Sequence, residues 1–265
     1  MSSENTGAEL SEYQKLRLIV GEYITVMSPI FHGPSFLEMR NFKVGCAGMT
    51  YPIENVSPAI NMCDGPNGLR IGISMFVKNK TAFPTGMCLA ATFDTKLAEL
   101  EGEAIGAECV EENIGVLLGP AINICRHPLA GRNYECFSED PRVAGEIGAY
   151  YIKGIQNNGI SACVKHFIAN NQETSREYVD VKMSERAFRE IYLEPFRIAI
   201  EEGKPMALMT SYNKINGEYA GERREFYEVL REELHYDGII MTDWYACKDT
   251  VKMVLMGNNL IELGV

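Results

Sequence analysis

The sequence predicts an α/β fold built on parallel strands, a (β/α)8 barrel of the TIM type, and three observations carry that reading. The chain has 265 residues, close to the roughly 250 that such a barrel uses. Short apolar runs of strand length alternate with longer amphipathic stretches. Polar side chains stand at the ends of nearly all the apolar runs. Strand, helix, strand, helix in this order implies parallel strands joined by right-handed crossovers.

Taken in order, a polar leader precedes a short amphipathic helix over 10–23, where Leu16, Leu18, Ile19 and Tyr23 fall at helical spacing. Residues 1–57 form this leader and helix, and 58–265 the barrel, all in a single domain. Strands are expected at 58–63, 87–92, 115–124, 160–166, 206–212, 238–243 and 259–263. These are seven, one short of eight, so the barrel as read stops after its last strand. Asp94 can cap a helix whose Leu97, Leu100, Ala104 and Ala107 share a face. Ser184 can cap another through Phe188, Ile191 and Ile198, kinked at Pro195. A doubly wound sheet satisfies the same alternation. Neither a Gly-x-Gly-x-x-Gly after the first strand nor a phosphate-binding Gly-x-x-x-x-Gly-Lys-Ser/Thr is present, which removes the usual nucleotide-binding reasons for one.

Composition excludes several function classes. A net charge of −11 leaves no basic footprint for nucleic acid or anionic lipid. Apolar stretches such as 115–124 fall short of the roughly 18 residues that span a bilayer. The first nine residues are polar and acidic, unlike a signal peptide, so the expected location is the cytoplasm. Eight cysteines are scattered without a Cys-x-x-Cys pair, several inside apolar runs where a thiol behaves as a small hydrophobe. Neither a metal site nor a disulfide framework is expected, and no cofactor.

The polar strand ends are where the chemistry concentrates. The run at 58–63 delivers Asp64, that at 160–164 delivers Lys165 and His166, that at 206–211 delivers Tyr212 and Asn213, and that at 238–242 delivers Asp243 and Trp244. In a parallel barrel such ends converge on one face. Asp243 suits either a carboxylate nucleophile or the N-cap of a helix over 245–256. Asp64, before Gly65 and Pro66, suits a turn. Tyr212 is a hydrogen-bond donor to Asp243 or a core tyrosine. Trp244, the only tryptophan, is core filler or an aromatic wall beside Asp243.

Six segments together carry a resemblance. They are residues 64–70 (DGPNGLR), 131–141 (GRNYECFSEDP), 165–167 (KHF), 170–173 (NNQE), 211–213 (SYN) and 238–244 (GIIMTDW). In that order and spacing the chain resembles the N-terminal barrel domain of glycoside hydrolase family 3, the β-glucosidase group, over about residues 10–263. The resemblance implies retaining hydrolysis of terminal β-linked glucose-type residues through a covalent glycosyl-enzyme on Asp243. It implies a substrate pocket ringed by Asp64, Arg70, Arg132, Lys165, His166, Arg176, Met209, Tyr212 and Trp244. Glu135, Glu139 and Asp140 are expected to hold the shape of the Arg132 loop. Cations near Asp243 are expected to keep it ionised. His32, His127 and His235 receive no role.

Two departures qualify what is carried over. Single-domain members place a His–Asp acid/base pair in the loop after Lys-His-Phe, but residues 168–176 (IANNQETSR) hold no histidine. The resemblance is then to two-domain members, whose acid/base glutamate lies on a second α/β domain, which is expected to be absent here. Residues 257–264 (GNNLIELG) also differ from the family's acidic, Pro-Gly-ended version. Two functional classes follow. One is an enzyme whose acid/base comes from another domain or chain, acting on a β-glycoside or oligosaccharide. The other is a non-catalytic sugar-binding or regulatory remnant. Apolar surface is expected around Leu260 and Leu263, and with it self-association or a partner chain completing the site.

Overall fold

The computed structural model describes residues 10–21, 46–53, 55–72, 79–246 and 248–262. The helix expected over 10–23 is shorter, α1 (Glu12–Ile19), with Leu16 exposed; Val20–Gly21 form the short strand β1, and Tyr23 lies outside the described residues. The sheet is built from β2 (Gly48–Met49), β3 (Asn61–Asp64), β4 (Val116–Leu118), β5 (Ser161–Phe167), β7 (Ala207–Thr210) and β10 (Ile239–Thr242), in the order β10-β7-β5-β4-β3-β2. The small strands β6 (Asp180–Val181), β8 (Lys214–Ile215) and β9 (Glu218–Tyr219) form a separate three-stranded sheet.

A closed parallel barrel is not what these strands make. All neighbours in the main sheet are parallel except β2, which runs antiparallel to β3. Beyond β10, strand β11 (Ile261–Glu262) joins through a parallel bridge between Met241 and Leu260, and pairs in turn with β1. The result is a mixed sheet without closure among the described residues. It is nonetheless strongly curled. Ala47, at the start of β2, and Glu262, on β11, line the same cavity. Six strand spacings of a flat sheet would hold them about 29 Å apart.

Alternation along the strands sorts their side chains into two cores. Met62, Val116, Leu118, Cys163, Ala207, Met209 and Met241 face the inside of the curl. Cys63, Leu117, Ala162, Val164, Leu208 and Ile240 face outward, into the larger core beneath the helices. Burial on both faces explains why these strands read as continuous apolar runs.

The helices show where apolar content misleads. Of residues 87–92, expected as a strand, 87–90 belong to helix α2 (Gly86–Ala90), whose Thr85 cap accepts a hydrogen bond from the Cys88 amide, and 91–92 to the turn that follows. A short apolar run does not distinguish the two conformations. Helix α3 (Thr95–Glu111) starts at Asp94 as expected, but its buried face carries Ala98, Gly102, Ile105, Gly106 and Cys109. Leu97, Leu100, Ala104 and Ala107 are exposed. The reason is close approach to α4 (Pro141–Gln156): a Cβ on Gly154 would meet the Glu99 carbonyl oxygen at 2.0 Å, and one on Gly102 the Tyr151 carbonyl oxygen at 2.3 Å. Small residues let the two backbones touch, so the larger leucines face solvent.

Ser184 caps α5 (Glu185–Ala187) as predicted, accepting from the Ala187 amide. The pattern then breaks into a π-helical turn over Phe188–Tyr192, α6 (Glu194–Ile198), and a second π turn over Ala199–Gly203. Pro195 sits in the first turn of α6, where its missing N–H costs nothing. Phe188 and Ile198 are buried, but Ile191 is exposed. After α7 (Arg224–Glu228) and β10, helix α8 (Thr250–Met256) begins at Asp249, which accepts from the Lys252 amide. Asp243 therefore caps no helix. Leu260, expected at the surface, is only 5% exposed, because it pairs with Met241 and packs inside the curl. Leu263 lies outside the described residues.

The α3–α4 contact supplies a stability test. Gly154→Ala should destabilise the protein by about 2 kcal/mol, since its methyl meets backbone with no rotamer to move. Leu100→Ala should change stability by less than about 0.5 kcal/mol. Urea unfolding that ranked Leu100→Ala as the more damaging would contradict this packing.

Candidate active site

The cavity at the ends of β3, β5 and β10 is lined by Asp64, Arg70, Arg132, Lys165, His166, Arg176, Met209, Tyr212, Asp243 and Trp244. All ten residues singled out from the sequence thus share one concave site. Its volume is about 280 Å³, near the lower end for small-molecule pockets.

Local structure explains each placement. Asp64 ends β3, and the chain then turns sharply through Gly65 at φ +147°, where a Cβ would strike the Gly68 carbonyl oxygen at 2.3 Å. The turn returns Arg70 to its start. The Arg70 amide donates to the Asp64 carbonyl at 2.9 Å, and its guanidinium Nη2 lies 2.9 Å from Asp64 Oδ2. Regular alternation would send Lys165 and His166 to opposite faces of β5. The register shifts between Lys165 and Phe167, and both side chains line the cavity. Asn123 secures the bulge: its Nδ2 donates to the His166 carbonyl at 2.8 Å, and its Oδ1 accepts the His166 amide at 3.0 Å.

Charges in the site are paired almost throughout. Lys165 Nζ lies 2.7 Å from Asp64 Oδ1. Arg132 makes a two-pronged contact with Glu135, at 3.2 and 2.7 Å, and Nη1 reaches toward Glu173 at 3.8 Å. Glu173 also binds Arg176 at 2.9 Å, and the Arg176 guanidinium stacks over the Tyr212 ring at 4.3 Å. Glu135 thus holds Arg132 directly, as expected, and Asp140 caps α4. Glu173 and Asn123 were not singled out. Glu173 stands in a polar loop, where no periodicity marks it.

Asp243 follows β10 with its carboxylate tied on one side. Oδ1 accepts from the Tyr212 hydroxyl at 2.9 Å and from the Trp244 amide at 2.8 Å. Oδ2 has one longer contact, 3.4 Å from His166 Nε2. Burial holds the His166 imidazole well below its usual pKa, with Arg132, Lys165 and Arg176 adding to the effect. The contact is therefore a neutral hydrogen bond rather than an ion pair. The ring carries one proton for two acceptors, since Nδ1 lies 3.3 Å from Asn123 Oδ1.

The two aspartates are driven apart. Burial alone would raise Asp64, but Lys165, then Arg70 and Arg132, outweigh it and hold the carboxyl below its ordinary value. For Asp243 burial wins, and the carboxyl is raised despite Lys165, the Trp244 amide, Tyr212 and Arg132. The nearby cations offset the cost of ionising Asp243 only in part.

Glu262 also enters the cavity and had no expected role. It is a charged residue closing an apolar strand, the same signal that marked Asp243. Among the described residues no group of His, Cys, Asp and Glu side chains is arranged to hold a metal ion, and Cys46, Cys63, Cys88, Cys109, Cys125, Cys136 and Cys163 are all free thiols. Among the described residues no helix is long and apolar enough to cross a membrane.

Comparison with known proteins places this geometry. The model of the glycosyl hydrolase family 3 N-terminal domain matches residues 67–260. Thermostable beta-glucosidase B of Acetivibrio thermocellus is 44% identical over 229 residues, 81% of this chain and 30% of the relative. Beta-glucosidase 3B of Thermotoga neapolitana, solved with glucose, superposes with a TM-score of 0.87 at 43% identity, over 95% of this chain and 35% of the other. The beta-glucosidase of Kluyveromyces marxianus, also solved with glucose, gives 0.84 at 36% identity, over 96% and 28%. The chain thus spans about a third or less of the length of these relatives.

Two measurements test the electrostatics. Asp64→Ala leaves the buried Lys165 ammonium without its closest carboxylate. It should cost about 3 kcal/mol in urea unfolding, toward the lower end for a broken buried pair because Asp64 is partly exposed. Nitrogen NMR should find His166 neutral at pH 6, where a free histidine, with pKa about 6.5, is mostly protonated. Its depressed pKa also means that this residue's contribution to stability is complete above about pH 6.5 and falls as the pH drops below it, since only the unfolded chain takes up the proton.

Proposed function

Because the chain belongs to glycosyl hydrolase family 3, we propose that its pocket binds the terminal glucose-type residue of a β-glycoside and that Asp243 attacks the anomeric carbon with retention. The observation that carries this reading is the asymmetric holding of Asp243. Two donors engage Oδ1 and fix the carboxylate plane, leaving Oδ2, with its single long contact, to form the bond to carbon. Retention requires such a nucleophile together with an acid that protonates the leaving oxygen.

The remaining residues serve recognition in this reading. Asp64 is held ionised and accepts from sugar hydroxyls, while Lys165, Arg132 and His166 present donors around them. Met209 and Trp244 supply apolar wall. Pairing within the site keeps the donors aimed before a sugar arrives, so little reorganisation opposes binding. The glucose complexes of the Thermotoga neapolitana and Kluyveromyces marxianus enzymes support glucose as the terminal residue. The acid/base comes from another domain or chain: the loop at 168–176 offers no histidine for the role.

An aryl glucoside with a good leaving group needs little protonation, so the chain alone should still form the covalent adduct. Intact-mass spectrometry with a 2-fluoro aryl β-glucoside should show one glycosyl unit added, and Asp243→Asn should abolish it while leaving glucose binding in place. Since only ionised Asp243 attacks, the rate of labelling should fall on acidification with a midpoint above the roughly 3.9 of a free aspartate. Azide, a nucleophile that needs no base, should release a β-glycosyl azide from the unfluorinated aryl glucoside. Folded protein that bound glucose and never formed the adduct would favour a sugar-binding protein without turnover.

A further inference from the structure

We propose that Glu262 is a sugar-binding residue on the floor of this pocket, whose carboxyl group donates a hydrogen bond to a ring hydroxyl and so selects for sugars that carry it. The inference rests on the glycoside reading of the site.

The placement of Glu262 follows from strand alternation. Ile261 packs outward with Met253 and Ile19, so Glu262 turns the opposite way, into the curl. Its amide donates to Thr242 Oγ1 at 2.9 Å, which fixes the backbone beside β10. The residue is 3% exposed and lines the cavity with Asp243 and Lys165. The inside of the curl on which β11 sits is lined mainly by methionine, leucine, valine and alanine, with Cys163 and Trp244. Neither carboxyl oxygen completes a hydrogen bond of normal geometry, although the Trp244 side chain lies near enough to favour the ionised form slightly. A buried carboxyl in this condition is unfavourable until a ligand supplies the missing partner.

The charges facing it decide its protonation. Asp243 from the end of β10 and Asp64 from β3 disfavour a further negative charge, Lys165 on β5 favours one, and Cys163 on β5 is buried nearby as a neutral thiol. Burial is the largest influence and, with the two aspartates, raises Glu262 to about 8. At neutral pH it is an acid with a proton to donate. A sugar entering the pocket excludes solvent from around Glu262, which penalises the ionised form further. By linkage the sugar binds more tightly to the protonated pocket.

The experiment measures glucose affinity by calorimetry for the chain and for Glu262→Leu and Glu262→Gln, each checked for folding by circular dichroism. Glucose should bind the parent with affinity falling above about pH 8. Glu262→Leu should lose about tenfold, the scale of one hydrogen bond. Glu262→Gln should lose less and show no alkaline fall. A series of monodeoxyglucoses then identifies the hydroxyl: one of them should bind the parent weakly and lose nothing further on Glu262→Leu, while the others lose the same tenfold. Parent-like affinity in Glu262→Leu, or an alkaline fall that persists in Glu262→Gln, would overturn the role of Glu262 and leave the sugar pocket standing. If Glu262→Leu does not fold, the pH profile of Glu262→Gln decides. A parent chain that binds no glucose would remove the pocket reading and this inference together.

Discussion

The ion pair between Lys165 and Asp64 is the contact on which the site depends. It joins residues 101 positions apart in sequence, at 2.7 Å, across the intervening β4. An ammonium 3% exposed is tolerated only with a carboxylate at hydrogen-bond distance, because desolvation would otherwise favour its neutral form. That pairing draws β3 and β5 around the pocket and leaves Asp64 ionised. Each further charge is compensated locally: Arg132 by Glu135, Arg176 by Glu173. Asp243 and Glu262 are the exceptions. Both are carboxyls raised by burial, and both await a ligand in the readings advanced above. A pocket that is neutral in sum but strained at two carboxyls is organised for a polar, uncharged guest with many hydroxyls.

The scaffold makes this possible by separating two kinds of interior. Outside the curl, Phe167, Phe196, Phe188 and Phe226 pack edge-on and stacked, and glycines on α3 and α4 bring those helices into backbone contact. That core is dense and apolar. Inside the curl, a thin layer of methionine and small aliphatic residues lies beneath the polar cavity. Strand ends carry the polar side chains from one layer to the solvent edge, so the same strands that stabilise the fold also aim the site. A substitution in the outer core acts on stability alone, whereas one at a strand end acts on the ligand as well.

Much of this was legible before any coordinates. Asp64, Lys165, His166, Tyr212 and Asp243 stand where apolar runs end, and a polar residue at that position leaves the sheet at its ligand-bearing edge. The Asp64–Arg70 turn is legible in its glycines. The N-caps at Asp94 and Ser184 follow from local chemistry that acts within three residues. Glu262, within the run expected as a strand at 259–263, closes β11 in the same way, but the sequence reading assigns it no role. The helix at Gly86–Ala90 and the exposed leucines of α3 were misread for a common reason. Apolar content does not say whether a run becomes strand or helix, nor which face a partner helix will approach.

The sequence by itself determined the alternation of elements, the polar strand ends and the local caps, because each is set by covalent order and by interactions a few residues long. Closure of the sheet, the antiparallel entry of β2, the bulge that turns Lys165 and His166 the same way, and the state of each carboxyl were decided only by the tertiary structure. Those features depend on sheet curvature and on the distance between charges far apart in sequence. Burial acts through the low dielectric of the assembled interior, which exists only once the strands have met. Asp243 and Asp64 are chemically identical in the chain. Folding places one beside Lys165 and Arg70 and the other beneath Tyr212, and that difference gives them opposite shifts.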